Sequence, residues 1–309
     1  MEFRNLYNLS YKRNLNAVKE NGLYLQYVEK QDFHICFEAI KNNPRALRFV
    51  KNQDEFLCGE AVSRCGDLLQ YVFNKTLKTC LLALKNEGLA IQYINQPTEE
   101  MCLVAVKQNG YALKYIKGQN MKICHEAILT HPQAIKYVKN QLDDLCVLAV
   151  KKDGLTLKDI FYPNEMLYLI AVKSNPAAIQ YIQNPSEELI LLAVRRKPNM
   201  IQYIRNASEK AWKEAIQKNA LVIRYLKEQK EELILFAIQK NPKSFKYIHT
   251  PNDAMCQLAI SLDYETIRYI KDPSEKLCLL ALKKSSDAYF YINKKSRTPR
   301  VINKYRAVC

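Results

Sequence analysis

The chain of 309 residues has little of several features that define common protein classes. It holds 7 Gly and 11 Pro, too few for collagen, for a flexible linker protein or for a turn-rich β-barrel. No apolar run approaches the roughly 18 residues of a membrane-spanning helix, and residues 1–11 lack the apolar core of a secretory signal. The sequence therefore predicts a cytoplasmic protein that is neither secreted nor inserted in a membrane.

Acidic residues and catalytic motifs are scarce as well. The 47 Lys and Arg outnumber the 31 Asp and Glu, giving a net charge of +16, which favours polyanions or acidic protein faces as partners. The 4 His fall at unrelated repeat positions, and the P-loop, the G-x-G-x-x-G turn and the H-E-x-x-H helix are missing. We therefore expect no enzyme, no metal or other cofactor and no small-molecule substrate.

What the sequence does contain is a strict repeat. Alanine recurs every 22 residues in thirteen copies, always followed by Val, Ile or Leu. We number repeats 1 to 13 and count positions from this alanine, so that position +10 lies ten residues after it. Position +10 is Tyr or Phe in every repeat but the seventh, and such periodicity indicates a repeat architecture. The alanines are Ala17, Ala39, Ala61, Ala83, Ala105, Ala127, Ala149, Ala171, Ala193, Ala215, Ala237, Ala259 and Ala281.

Each repeat reads as two helices. Position −7 is Ser, Thr, Asn or Asp in ten of the twelve complete copies, and position −6 is acidic in nine, a pattern typical of a helix start. Asn-Gly or Asn-Pro at +4 and +5 indicates a break between two helices. We expect Gly to adopt the left-handed conformation that closes the first helix, and Pro to be the first residue of the second helix. Apolar residues at +7, +8 and +11 then predict a second helix of about nine residues.

Two other repeat classes fail against this pattern. A continuous helix with an eleven-residue period is interrupted by Gly or Pro in ten of the copies, and the L-x-L strand of leucine-rich repeats is absent. We therefore predict an all-α fold, an α-solenoid of about thirteen 22-residue helix-turn-helix repeats. The array covers residues 13–293, between an N-terminal cap (1–12) and a basic tail (294–309).

Eight of the ten cysteines share position −3. Other copies hold Ile190 or Trp212 there, so the position accepts side chains that only pack. Equivalent atoms in stacked repeats lie too far apart for a disulfide, and buried thiols suit a reducing compartment. We expect structural thiols, with no metal site. The eight are Cys36, Cys58, Cys80, Cys102, Cys124, Cys146, Cys256 and Cys278.

The aromatic column at +10 has two interpretations. Helical repeat proteins can read RNA one base at a time, with aromatic rings stacked on the bases. Alternatively, each ring packs between successive second helices and its hydroxyl reaches water. The apolar flanking positions and the presence of Phe49 favour packing, and truncation of Tyr137 to Ala should then cost about 3–5 kcal/mol.

Basic residues form two further columns, at +2 in eight copies and at +9 in seven. These columns either line a track for a polyanion or are solvated faces whose aliphatic stems cover apolar surface. The tail is likewise either a capping half-repeat or a basic arm. The candidate contacts for a protein partner or a nucleic acid are Lys107, Lys114, Lys136, Lys151, Lys158, Lys173, Arg195, Arg196, Arg224, Lys246, Arg268, Lys294, Lys295, Arg297 and Arg300.

Two copies depart from the pattern. In repeat 7, Asp159 replaces the aromatic residue next to Phe161 and Tyr162, which predicts a bend or a docking point. In repeat 10, Trp212 fills the position that is usually cysteine. Both departures are interpreted as local repacking, with a binding site as the alternative.

The segments 80–94 and 102–116 follow the pattern L-L-A-V-K-x-N-G-x-A-L-x-Y-I closely, with Leu84, Glu87, Ile91 and Val104 as the departures from it. This pattern resembles a helical repeat family of unknown function that is abundant in giant viruses of amoebae, the Mimivirus-like repeat proteins. The resemblance implies a viral helical repeat protein in the host cytoplasm or in the virus particle, without catalytic residues. The expected function is a non-enzymatic scaffold that binds a protein partner. The alternative is an RNA-binding or other nucleic-acid-binding repeat protein that uses the basic columns and the tail.

Overall fold

The computed structural model describes residues 2–307, with side chains from residue 10 onward. The described residues are helical or lie in short connections, without a β-strand, and the predicted all-α solenoid of helix-turn-helix repeats is confirmed. The chain divides into two compact units, body 1 (Met1–Pro163) and body 2 (Asn164–Cys309). The boundary follows the irregular residues Phe161 and Tyr162.

An α-helix opens each repeat. In ten repeats it begins after a Ser, Thr, Asn or Asp at −7, as predicted. In nine of these the side chain at −7 accepts a hydrogen bond from a free backbone amide of the first turn, for example Asp32 from Ile35. The helix ends at +3. These helices are α1 (Glu2–Glu20), α2 (Phe33–Asn42), α3 (Glu55–Arg64), α4 (Leu77–Asn86), α5 (Glu99–Gln108), α6 (Met121–Thr130), α7 (Asp143–Lys152), α8 (Glu165–Ser174), α9 (Glu187–Arg196), α10 (Glu209–Lys218), α11 (Glu231–Lys240), α12 (Asp253–Leu262) and α13 (Glu275–Lys284).

The second helix differs from the prediction. In repeats 1 to 12 it is a six-residue 3-10 helix rather than an α-helix of about nine residues. An extended residue at +4 precedes it and another at +11 follows it. Because a 3-10 helix has three residues per turn, positions +8 and +11 lie one above the other, on the inner side. The 3-10 helices are η1 (Gly22–Tyr27), η2 (Pro44–Phe49), η3 (Gly66–Tyr71), η4 (Gly88–Tyr93), η5 (Gly110–Tyr115), η6 (Pro132–Tyr137), η7 (Gly154–Asp159), η8 (Pro176–Tyr181), η9 (Pro198–Tyr203), η10 (Ala220–Tyr225), η11 (Pro242–Tyr247) and η12 (Tyr264–Tyr269).

The glycines at +5 serve close packing, and the predicted left-handed conformation is wrong. Positive φ angles are absent from the described residues. The break is instead made by the extended residue at +4, and a Cβ on Gly110 would lie 2.3 Å from the carbonyl oxygen of Ala127 in the next repeat. Gly22 meets Ala39 in the same way, at 2.2 Å. At these two positions glycine lets the next α-helix lie directly against the start of the 3-10 helix.

The core lies between the two layers of helices. The twelve repeat alanines from Ala39 to Ala281 have no exposed surface. The residues at +1 and +7 are buried beside them, as are those at +8 in repeats 2 to 12. Within each body, successive α-helices pack against one another and successive 3-10 helices do the same. Helices this short are marginal alone, so each repeat depends on its neighbours for stability.

Body 2 ends in three short elements after α13: α14 (Ala288–Tyr291), η13 (Lys294–Ser296) and α15 (Pro299–Arg306). Thr298 caps α15, and the side chain of Val301 is fully buried where α15 packs against α13. The rings of Tyr289 and Tyr305 stack 4.0 Å apart. The tail therefore packs as a half-repeat on repeat 13 and is not a free basic arm over its described residues.

Candidate partner-binding surfaces

The thiols at −3 are free and buried, as the sequence predicts. Burial raises the pKa of Cys36, Cys58 and Cys278 from 9.0 to about 11, so these thiols stay protonated at neutral pH. Across the described residues, no cluster of His, Cys, Asp and Glu is arranged to hold a metal ion. Position −3 is thus part of the packing.

The aromatic column at +10 lies on the outer flank of the 3-10 helices. None of its twelve rings is buried: Tyr27 is 76% exposed, Tyr203 47% and Tyr115 38%. The rings are thus more exposed than packing between successive helices predicts, because +7, +8 and +11 take the inward positions. The Tyr93 hydroxyl donates to Asp67 at 2.8 Å, and this hydrogen bond raises the pKa of Tyr93 to about 12.

The structure joins this column to the basic column at +9. In body 1 the ammonium of Lys114 lies 5.4 Å from the ring centre of Tyr115, and that of Lys136 lies 4.9 Å from Tyr137 and 5.7 Å from Tyr111. These distances are those of cation–π contacts. We call the five residues the lysine–tyrosine surface. Acidic residues are absent from segments 110–119 and 132–141, which carry this surface.

Sequence reasoning missed a third basic column, at +12, directly after the 3-10 helices. Lys117 and Lys139 extend the lysine–tyrosine surface there, and both are exposed. The Lys139 ammonium donates to the backbone carbonyl of Lys117 at 3.0 Å. The column was recognisable as a basic residue at +12 in six of the thirteen copies. Its members are Lys51, Lys117, Lys139, Arg205, Lys227 and Lys271.

In body 2 the +9 residues also lie against tyrosine rings, and they form more hydrogen bonds and ion pairs within the protein. Arg224 lies 4.7 Å from the ring of Tyr225 and donates to its hydroxyl at 2.6 Å, and Lys246 lies 4.7 Å from the ring of Tyr247. Arg268 forms a salt bridge with Glu265. Since an acid already neutralises Arg268, body 2 offers a weaker cationic face at this column.

The +2 column lies on a different element, the last turn of the α-helices. Arg195 there pairs with Glu214 of the next repeat at 3.1 Å. Arg196, at +3, donates to the backbone carbonyls of Val172 and Lys173 and so stabilises a helix end. The two predicted basic columns are therefore carried by separate elements. The remaining predicted residues of the α-helix ends are exposed: Lys107, Lys151 and Lys173.

The predicted tail contacts divide into structural and exposed residues. The Arg297 guanidinium donates to the backbone carbonyls of Ile292 and Tyr289, and Arg300 pairs with Glu275 at 3.4 Å. Both are thus engaged in holding the half-repeat. Lys294 and Lys295 are exposed on η13.

Repeat 7 exposes its irregular aromatics. Tyr162 is 93% exposed and Phe161 59%. Lys158 is exposed and Asp159 half-buried on η7. The Asp159 carbonyl and the Phe161 amide are both bound by the side chain of Gln141, so the backbone here follows the regular repeat. The predicted docking point therefore has exposed rings on an ordered turn.

A phenylalanine cluster on α2 and α3 was also missed. The rings of Phe33, Phe37 and Phe56 lie 5.8–6.1 Å apart, and Phe33 and Phe56 are 51% and 55% exposed. Phe33 occupies position −6, which is acidic in nine copies, and that substitution was the available signal. Exposed aromatic clusters of this kind mark protein interaction sites.

A glutamine column at +14 was the third feature missed. In the five copies that carry it, the side-chain amide donates to the carbonyl at +10 of the next repeat and its oxygen accepts from the amide at +12. We call each such residue a glutamine staple. The signal was weak because +14 holds Pro in five other copies. The staples are Gln31, Gln53, Gln119, Gln141 and Gln229.

Comparison with known proteins adds one similarity. Residues 14–57 match a domain of unknown function, DUF4116, over a span of two repeat periods. No curated protein and no solved structure matches the chain. Over the described residues, no helix has the length and apolarity needed to cross a membrane. The chain is thus similar, over this part of its length, to a domain family whose function is not established.

Proposed function

We propose that the protein is a non-enzymatic α-solenoid scaffold and that its lysine–tyrosine surface binds an acidic face of a protein partner. The observation that carries the proposal is the contact of Lys114 and Lys136 with half-exposed tyrosines on two segments, 110–119 and 132–141, that hold no acidic residue themselves. Tyrosine and cationic groups together are typical of the contact residues of protein interfaces. The 22-residue spacing repeats the same pair of groups, which suits many weak contacts rather than bond chemistry.

The geometry favours a protein over RNA as the partner. A base would need a free ring face on which to stack. One face of the Tyr115 ring and one of the Tyr137 ring already carry an ammonium group of the same repeat, so a base that stacks on that face would have to displace it. The phenylalanine cluster of α2 and α3, also in body 1, supplies an apolar surface that a protein partner would bury and a nucleic acid would leave in water.

The proposal includes a location, the cytoplasm of a host cell or a virus particle. Its support is the sequence resemblance to the repeat proteins of giant viruses. Nine free cysteines among the described residues, eight of them buried, also suit a reducing compartment.

Capture from nuclease-treated host lysate tests the main proposal with two matched variants. The first, K114E/K136E, reverses the lysine–tyrosine surface, and the second, K122E/K152E, makes the same charge change on exposed lysines of α6 and α7. We expect proteins that are captured by wild type and by the second variant and lost with the first. Capture that is the same with all three proteins would overturn the proposal.

Nucleic-acid binding is the second candidate, because Lys117 and Lys139 lengthen the cationic row to four residues. Anisotropy of a labelled single-stranded RNA at increasing salt tests it. Each lost phosphate contact should lower the slope of log affinity against log salt by about 0.7. A slope that is the same in wild type and K114E/K136E removes this candidate, as does the absence of binding at low salt.

A further inference from the structure

Body 2 contains a groove at the place where a glutamine staple is missing. The groove, of about 750 Å³, opens between the turns of repeats 9 and 10. Position +14 of repeat 9, where a staple would begin, is Ala207. The groove is lined by the backbone segments that a staple binds in other repeats, around Ile201, Ile204, Tyr225 and Lys227.

The groups that a staple contacts are known from repeat 5. There the amide nitrogen of Gln119 lies 3.4 Å from the carbonyl oxygens of Leu113 and Ile116 and 2.9 Å from that of Tyr137, and its oxygen accepts from the Lys139 amide at 3.0 Å. These residues stand at +8, +11, +10 and +12. A primary carboxamide is able to contact all four groups, because its two N–H donors face the three carbonyl oxygens and its oxygen accepts from the backbone amide.

The same four positions in the groove are Ile201, Ile204, Tyr225 and Lys227. Their backbone has the conformation of stapled repeats: Ile204 has φ −104° and ψ 112°, against −90° and 114° at Ile116. The Tyr225 carbonyl and the Lys227 amide form no hydrogen bond with other described residues. The groove thus keeps the hydrogen-bonding pattern of a staple without the carboxamide.

The floor of the groove is Trp212, which is 7% exposed. Its position holds cysteine in stapled repeats such as repeat 6, where the Cys124 thiol faces the oxygen of Gln119 at 3.9 Å. The indole fills part of the space that a staple side chain would occupy, and the groove remains open above it. The groove is also lined by charged residues of both signs: Arg205, Lys227, Lys230, Glu209 and Glu228.

We infer that this groove binds a glutamine side chain of an extended segment of a partner protein, which takes the place of the missing staple. A carboxylate cannot donate to the Tyr225 carbonyl, and an ammonium cannot accept from the Lys227 amide, so glutamate and lysine fit less well. The inference is independent of the proposed function, since it concerns body 2 and hydrogen bonding rather than charge on body 1.

Trp212 makes the test specific, because it is the single tryptophan of the chain. The probe is a nine-residue peptide that copies residues 136–144, KYVKNQLDD, and so contains one natural staple, Gln141. Two further peptides carry Ala or Glu in place of that glutamine. Each is titrated into the full-length protein while tryptophan fluorescence is excited selectively.

We expect a saturable change in fluorescence with the glutamine peptide and an affinity at least about tenfold lower for the other two, since two or more hydrogen bonds are lost. In Ala207→Gln the chain supplies its own staple, so the peptide effect should disappear while the midpoint of thermal unfolding rises. The control is Ala254→Gln, at an exposed position on α12, which should bind as wild type does.

Three results would overturn the inference: no change in fluorescence at millimolar peptide, equal affinity for the three peptides, or unaltered binding to a folded Ala207→Gln. The comparison of peptides needs only the wild-type protein, so the test stands even if the variant fails to fold. The lysine–tyrosine surface is intact in every protein used, so failure here leaves the proposed function unaffected.

Discussion

The side-chain amide of Gln119 donates to the backbone carbonyl of Tyr137 at 2.9 Å and so joins repeat 5 to repeat 6 through a polar contact. The oxygen of the same amide accepts from the Lys139 backbone. The backbone of the turns after the 3-10 helices forms few other hydrogen bonds. Each glutamine staple therefore fixes the spacing of two turns and adds a polar contact to the apolar packing between successive repeats.

Replacement of Gln119 by alanine should destabilise the protein. The change removes the contacts with both the Tyr137 carbonyl and the Lys139 amide, and we expect the free energy of unfolding to fall by about 1–3 kcal/mol. Urea unfolding followed by circular dichroism measures this. The matched control is Gln92→Ala, on the exposed surface of η4, which should change stability by less than about 0.5 kcal/mol. Equal losses in the two variants would contradict the staple.

Gly110 and Gly118 differ in the space available for a side chain. A Cβ at Gly110 would lie 2.3 Å from the Ala127 oxygen, whereas at Gly118 nothing lies within 4 Å. We expect Gly110→Ala to cost about 1–3 kcal/mol through overpacking. Gly118→Ala should be neutral or slightly stabilising, since its φ is not positive and alanine restricts the unfolded chain. Thermal melts of both variants give the comparison, and an unaltered melt for Gly110→Ala would contradict it.

The buried thiols predict a loss of stability in alkali. The pKa of Cys36, Cys58 and Cys278 is 9.0 when unperturbed and about 11 in the fold, so the folded state holds these protons more tightly. Their contribution is fully present below pH 9 and is lost as the pH rises through about 11. Urea midpoints across this interval measure the loss. The triple alanine variant lacks these thiols, so its urea midpoint should decline less over the same interval. The decline that remains reflects the lysines and tyrosines, which both proteins contain.

Truncation of Tyr137 should cost less than the sequence suggests. The ring is half-buried and not enclosed, so Tyr137→Ala should lower the free energy of unfolding by about 1–2 kcal/mol instead of 3–5. Chemical denaturation decides between the two values. Ile135→Ala, at a fully buried position of the same 3-10 helix, gives the scale of a core truncation. Equal losses for the two residues would restore the packing interpretation of the aromatic column.

The C-terminal half-repeat should depend on one apolar contact. Val301 has no exposed surface, so Val301→Asp places a carboxylate against α13 and should detach α15. Lys304→Asp makes a larger charge change at an exposed position of the same helix and should leave it in place. Hydrogen exchange of α15 distinguishes the two, and protection that is the same in both variants would contradict the docking of this helix.

The sequence predicts the repeat, the helix starts and the inward positions, because caps and apolar spacing are local. It does not distinguish a 3-10 helix from an α-helix after +4, since apolar residues at +7, +8 and +11 fit the inner side of both. The role of Gly110 and of Gln119 was equally hidden, because their partners belong to the next repeat. Contacts across repeats depend on the distance between layers, which the pattern within a single repeat does not contain.

The same limit applies to the candidate surfaces. The basic residues at +9 were identified from the sequence, and their contact with the tyrosines follows only from the outward position of both on a 3-10 helix. Arg196 and Arg297 resemble free cations in the sequence, and the structure assigns them to backbone carbonyls. Charge alone therefore overestimates the number of residues available to a partner.

The staples also constrain how such a gene is able to change. Gln119 contacts residues 18 and 20 positions further along the chain, so inserting or deleting one codon between them would misalign every contact of that junction. Duplication or loss of a complete 22-residue unit preserves all of them. Gain or loss of complete 22-residue units is therefore the change in length that keeps these contacts.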